Sequence, residues 1–166
     1  MLSKPQYGWI GITIEKTLCG TASYIDDVPF LFLERLIAYF RMQKEGYPAE
    51  FSLCLDCEGY NIGLLSFDRR LYFLDTREEC SELFSYKGEV LGIKEISPVT
   101  YHLPPYSDAF ALLKMISQEV IADIEKYLDD WVHFLPEDDF LTEEEIENRR
   151  NRLLSDCKTL KNLIKE

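Results

Sequence analysis

The stretch that decides the fold is SDAFALLKMISQEVIADIEKYLDDWVHF, Ser107–Phe134. Within it Leu113, Ile116, Val120, Ile124, Tyr127, Trp131 and Phe134 recur every three or four residues, the spacing that lines side chains along one face of an α-helix. Pro136 interrupts the pattern, and after Thr142 a thinner stripe resumes at Ile146, Leu153, Cys157, Leu160 and Ile164. The expectation is two long helices folded back on each other as an antiparallel hairpin over 107–166.

Upstream, the segment 97–107 carries Pro98, Pro104 and Pro105 and has no period, which reads as a stiff loop. Earlier still, Ile10, Ile12 and Ile14 alternate with smaller residues over Trp9–Glu15, a strand pattern. Gly20 is expected to mark a turn. Asp26-Asp27-Val28-Pro29 is a helix-start signal, and the wide apolar face of Phe30, Leu33, Ile37 and Phe40, with Phe32, Leu36 and Tyr39 beside it, predicts a buried helix over Pro29–Glu45. Gly46 and Pro48 then stop it.

Phe51, Leu53 and Leu55 predict a second strand, Ile62 to Ser66 its return after Glu58-Gly59, and Leu71 to Leu74 a third. Thr76 with Glu79 predicts a short helix burying Cys80, Leu83 and Phe84, and 89–96 reads as the last strand. Strands and helices do not alternate, so an α+β fold follows. Its mostly antiparallel sheet of about four to five strands packs on one helix, with the hairpin after it. The chain reads as a single domain over 1–166, with a sheet-and-helix part in 1–106 and the hairpin in 107–166.

Hydrophobic residues make up 46% of the chain, with 10 Tyr and 10 Phe, enough for a core and against disorder. The formal charge of -12, from 30 acidic and 18 basic side chains, disfavours nucleic acid as a partner, because phosphate binding rests on Lys and Arg. No apolar run follows a basic N-terminal patch, and none is long enough to span a bilayer, so a cytoplasmic location without membrane contact is expected. The odd set Cys19, Cys54, Cys57, Cys80 and Cys157 has no framework spacing and reads as reduced thiols.

No motif identifies a reaction. Cys54-Leu55-Asp56-Cys57 is a C-x-x-C on a strand, where the two thiols face opposite sides, and no second pair of ligands completes a zinc site. His102 and His133 have no adjacent nucleophile of a triad kind, and His133 is expected in the core or an interface. Leu103-Pro104-Pro105-Tyr106 is too short for a proline-rich ligand, and no Gly-rich phosphate loop follows a strand. Neither catalysis nor a cofactor is indicated.

Charge is the informative feature. Asp123, Glu125, Asp129, Asp130, Glu137, Asp138, Asp139, Glu143, Glu144, Glu145 and Glu147 crowd the bend of the hairpin, with Lys126 the one basic residue among them. Glu143 to Glu145 suit a helix N-terminus, and Thr142 with Glu145 forms a capping box. Asp129 and Asp130 instead fall at the unfavourable end of the first helix, and Glu119/Asp123 and Glu125/Asp129 are like charges four apart, each costing roughly 0.3 kcal/mol. Arg149, Arg150 and Arg152 come opposite them in an antiparallel hairpin without balancing the excess. The surplus predicts a docking surface for a basic protein partner, built on Asp123, Glu125, Asp129, Asp130 and Glu137–Asp139, with Tyr101, Tyr106 or Trp131 as aromatic anchors.

In size, acidity and lack of catalytic motifs the chain resembles the bacterial immunity proteins of contact-dependent growth inhibition systems. That resemblance implies a small cytoplasmic inhibitor bound to a cognate toxin, often a nuclease, with carboxylates standing in for nucleic-acid phosphates. Two other readings share these features: an assembly or adaptor protein that dimerises through the hairpin seam, and a small enzyme with its site near His102.

Overall fold

The computed structural model describes residues 1–14, 17–67, 69–76, 99–101, 108–134 and 141–165. The strands are β1 (Trp9–Ile14), β2 (Thr17–Ser23), β3 (Ser52–Asp56), β4 (Asn61–Phe67), β5 (Arg70–Thr76) and β6 (Val99–Tyr101). The helices are α1 (Val28–Lys44), α2 (Ala109–Lys126), α3 (Leu128–Val132) and α4 (Glu143–Lys165). The class is α+β with antiparallel pairing throughout, as the sequence predicts. The strands divide into two sheets rather than one, β1-β2 and β3-β4-β5-β6. The expected short helix after Thr76 and the strand over 89–96 lie outside the described residues.

The N-terminal hairpin corrects the reading of Gly20 as a turn. Gly20 sits inside β2, opposite Ile12. A β-carbon there would stand 2.6 Å from Ile62 Cδ1, so the missing side chain lets β2 close against β4. Tyr60 fixes the same approach, its hydroxyl donating to Thr21 O at 3.0 Å. Along β1 and β3 the alternation holds: Ile10, Ile12, Ile14, Leu53 and Leu55 are buried.

Helix α1 starts with Pro29 in its first turn and ends where Gly46 takes φ +79, a left-handed conformation that favours glycine. Its buried face runs through Phe30, Phe32, Leu33, Leu36, Ile37 and Phe40. The expected Asp27 start signal has a different use: Asp27 is the N-cap residue but makes no side-chain capping bond.

The hairpin over the last third is present, and its two arms are antiparallel. Asp108 caps α2 by accepting from Ala111 N at 3.1 Å. The first arm is not one continuous helix: Tyr127 takes φ -115, ψ 31 and separates α2 from α3. The break turns both Trp131 and Val132 into the core, and the Trp131 indole donates to Asp123 O at 3.4 Å. The capping box at the start of α4 forms as the sequence implies, Thr142 N donating to Glu145 Oε2 at 2.8 Å and Glu145 N to Thr142 Oγ1 at 3.2 Å. Leu153, Cys157, Leu160 and Ile164 are buried.

This seam faces inward. Helix α4 packs on α1 more extensively than on α2, and one hydrophobic cluster joins Leu2, the strands, α1 and the hairpin. Among the described residues no helix is long and apolar enough to cross a membrane.

Cys54 is disulfide-bonded, whereas Cys57 and Cys157 are free and buried. The expectation of five reduced thiols is corrected by that bond. Cys54 and Cys57 do lie on opposite faces, since Cys57 continues the buried series of Leu53 and Leu55. Burial, with Asp56 and Asp26 nearby, pushes the Cys57 thiol up to about 12, so it is no thiolate nucleophile near neutral pH.

Candidate functional site

The carboxylates at the bend of the hairpin acquire partners that linear spacing does not reveal. Asp123 Oδ2 accepts from the amino group of Met1 at 2.9 Å and from Leu2 N at 2.8 Å. Glu119 lies 3.3 Å from the same amino group. A cation therefore sits between two acids that the sequence presents as mutually repelling, and Asp123 holds the N-terminal segment against α2. Leu2, pinned by that bond, is buried in the core. Asp123 is thus a structural acceptor whose charge is answered within the chain.

Glu125 pairs with Lys161 across the hairpin at 2.5 Å. Asp130 pairs with Lys4 at 3.2 Å, and Asp129 with Arg150 at 2.7 Å. The break at Tyr127 also changes the dipole argument. Asp129 and Asp130 fall in the first turn of α3, where negative charge is favoured, rather than at the C-terminal end of a longer helix.

Of the three arginines expected opposite them, only Arg150 reaches Asp129. Arg149 turns to α1, its Nη1 and Nη2 donating to the two Asp27 carboxylate oxygens at 2.6 and 2.7 Å. Arg152 lies 3.8 Å from Asp156 and 4.4 Å above the Phe30 ring.

Pairing does not neutralise this end of the molecule. Arg150 is shared, since Glu147 Oε2 lies 3.6 Å from its Nε, and the Asp129 side chain remains 86% exposed while paired. Glu143 and Glu144 are exposed in the first turn of α4 and make no ion pair among the described residues. Glu145 is committed to the capping box. The Thr142 backbone N–H, followed by its hydroxyl, holds the Glu145 carboxyl below the usual range. Across α3 and the first two turns of α4, six carboxylates (Asp129, Asp130, Glu143, Glu144, Glu145, Glu147) stand against three cations, Lys4, Arg149 and Arg150, and Arg149 is taken by Asp27 of the α1 N-terminus.

The remaining expected positions divide. Glu137, Asp138, Asp139, Tyr106 and His102 lie outside the described residues. Tyr101 ends β6, its backbone paired with Leu74 of β5. Trp131 is fully buried and cannot serve as an exposed anchor. His133 is exposed at the C-cap of α3, which excludes the core, one of the two places expected for it beside an interface. Glu143, Glu144 and Glu147 belong to the acidic block that the spacing marks, and the sequence assigns Glu143 and Glu144 to helix capping; in the structure both are exposed without an ion pair among the described residues, and Glu147 shares Arg150. Lys4 and Asp27 carried no sequence signal for their roles.

No family model matches the chain, and no curated protein or solved structure shows significant similarity to it.

Proposed function

We propose that this chain is an acidic binding protein that occludes a basic protein partner through the α3 and α4 N-terminal end. The observation that carries the reading is the local excess of carboxylates there, six against Lys4 and Arg150 once Arg149 is taken by Asp27, with Glu143 and Glu144 exposed and free of ion pairs among the described residues. At the N-termini of α3 and α4 these carboxylates complement the helix dipoles, a local effect of about 0.3 to 1 kcal/mol each. The excess also raises the encounter rate with a positively charged surface and selects against acidic ones. The most specific version is an immunity protein that holds a nuclease-type toxin by meeting the Lys and Arg residues that would bind nucleic-acid phosphate.

The buried seam favours this reading over helical assembly. Leu153, Cys157, Leu160 and Ile164 are covered by the chain's own helices, so a homodimer through them would have to displace α1 or α2. A cytoplasmic location belongs to the immunity reading, and the Cys54 disulfide is the feature that stands against it.

The test begins by asking whether a basic protein is encoded beside this chain and co-purifies with it, and titrates the chain with that protein by calorimetry; the absence of any such partner overturns the immunity reading. The comparison is the variant Asp129→Asn/Glu143→Gln/Glu144→Gln/Glu147→Gln, measured across a salt series. At about 0.5 kcal/mol for each exposed charge, four neutralisations weaken binding by about 2 kcal/mol, or roughly thirtyfold. An affinity that is insensitive to both the variant and salt overturns the acidic-surface reading.

A further inference from the structure

We propose that a cavity of about 460 Å³ between α1, the β4–β5 turn and the N-terminus of α2 binds a small zwitterion, an α-amino acid with free ammonium and carboxylate groups. Its wall brings together Tyr39, Gln43, Glu50, Arg69, Asp108 and Phe110, residues that no linear motif connects. The volume falls in the range of small-molecule sites.

The charges decide the class of ligand. Arg69, Glu50 and Asp108 line one cavity, yet among the described residues Arg69 makes no ion pair with either carboxylate. The arginines of α4 all find acids. Opposite charges held on one wall without collapsing onto each other match a ligand that carries both. A bare amine would leave the guanidinium unanswered, and a bare carboxylate would meet two acids.

The framework holds these groups in place. Arg69 takes φ 62, a left-handed conformation that is costly for a residue with a β-carbon. The bond from Ala109 N to Arg69 O at 2.8 Å ties that turn to the start of α2. Asp108 gives one oxygen to the Ala111 N–H and keeps the other free of any protein hydrogen bond among the described residues.

Tyr39 is 5% exposed, with its ring set edge-on to Phe40 and Phe51 at 5.1 and 6.2 Å. Burial, then the charge of Asp108, raises its hydroxyl pKa, so it stays protonated as a donor. Phe110 is 48% exposed and leans edge-on against Phe40 at 5.6 Å, leaving apolar surface for a ligand side chain. The Ser66 hydroxyl in the same wall accepts from Phe51 N at 2.6 Å, so it is occupied in holding β4 to the start of β3. The site binds; it has no free nucleophile of that kind.

The experiment titrates the full chain with each standard L-amino acid by calorimetry and thermal shift. For the best binder it adds the matched compounds lacking the amino or the carboxylate group. The expected result is that at least one amino acid binds at millimolar concentration or below, and that both truncated analogues bind about tenfold or more weakly. Arg69→Gln and Asp108→Asn should each weaken binding by a similar factor with the melting temperature of the unliganded protein little changed, since Asn also caps a helix. Binding by none of the amino acids, an amine analogue equal to its parent, or an affinity unchanged in Arg69→Gln each overturns the proposal.

Discussion

Asp27→Ala is the substitution that most directly tests how the hairpin is joined to the rest of the chain. In the folded protein Arg149 reaches α1 with two parallel bonds, at 2.6 and 2.7 Å, to the two oxygens of Asp27. The Arg149 side chain is 10% exposed and that of Asp27 is 32% exposed. The guanidinium also lies 4.8 Å from the Phe30 ring centroid, and its Nε has no hydrogen-bond partner. Removing the carboxylate leaves a nearly buried cation with only two long bonds, to Trp131 O at 3.4 Å and Phe134 O at 3.5 Å.

Breaking a buried pair from one side costs about 3 to 5 kcal/mol, and the partial exposure of Asp27 places this case near about 3. For a chain of this size that is a fall in Tm of about 9 °C. Arg149→Met should cost less, about 1.5 kcal/mol, because the remaining carboxylate can be hydrated and the methionine still covers Phe30. The double variant should recover about 1 kcal/mol or more relative to the sum of the two singles. Urea denaturation of the four proteins measures all of this. A cost for Asp27→Ala below about 0.5 kcal/mol, or single effects that simply add, would refute a cooperative link between α1 and α4.

Three further outcomes follow from individual groups. Burial raises the Asp26 carboxyl above its ordinary 3.8, with the Asp56 N–H opposing the shift and the Asp56 charge adding to it. Its contribution to stability is therefore complete below pH 3.8 and is lost as pH rises through the folded value. Asp26→Asn should gain on the parent at pH 7 and lose that advantage in acid, read as the difference between paired denaturation curves; an equal difference at both pH values would contradict the sign. Cys57 and Cys157 are buried, with thiols pushed up to about 12, so iodoacetamide at pH 8 should label neither in the folded protein and both in urea. Rapid labelling of either thiol in the native state would contradict their burial. Gly20→Ala forces Ile62 Cδ1 away from a 2.6 Å approach, and overpacking of this kind costs about 1 to 2 kcal/mol. A variant as stable as the parent would mean that the sheets are not closed by that contact.

Much of the secondary structure was legible because its causes are local. The apolar stripes placed both arms of the hairpin, Pro29 and Gly46 bounded α1, and Thr142 with Glu145 marked the start of α4. β2 was missed because a glycine within Thr17–Ser23 looks like a turn until Ile62 is known to press on it. The break at Tyr127 was missed because Ile124, Tyr127 and Trp131 keep helical spacing across it. At the acidic end the excess of charge is legible in the sequence, whereas the cation that answers each acid is not: Asp123 meets the Met1 amino group, from the far end of the chain.

The sequence by itself therefore determined the apolar faces, the caps and the overall sign of the charge, because each depends on residues within a turn or two of one another. Only the tertiary structure decided which charges are paired inside the fold and which, among the described residues, stay exposed without an ion pair. Asp27 and Arg149 are separated by 122 residues, as are Met1 and Asp123. A carboxylate's role depends on the cation nearest in space, and chain spacing does not encode that distance until the core has closed.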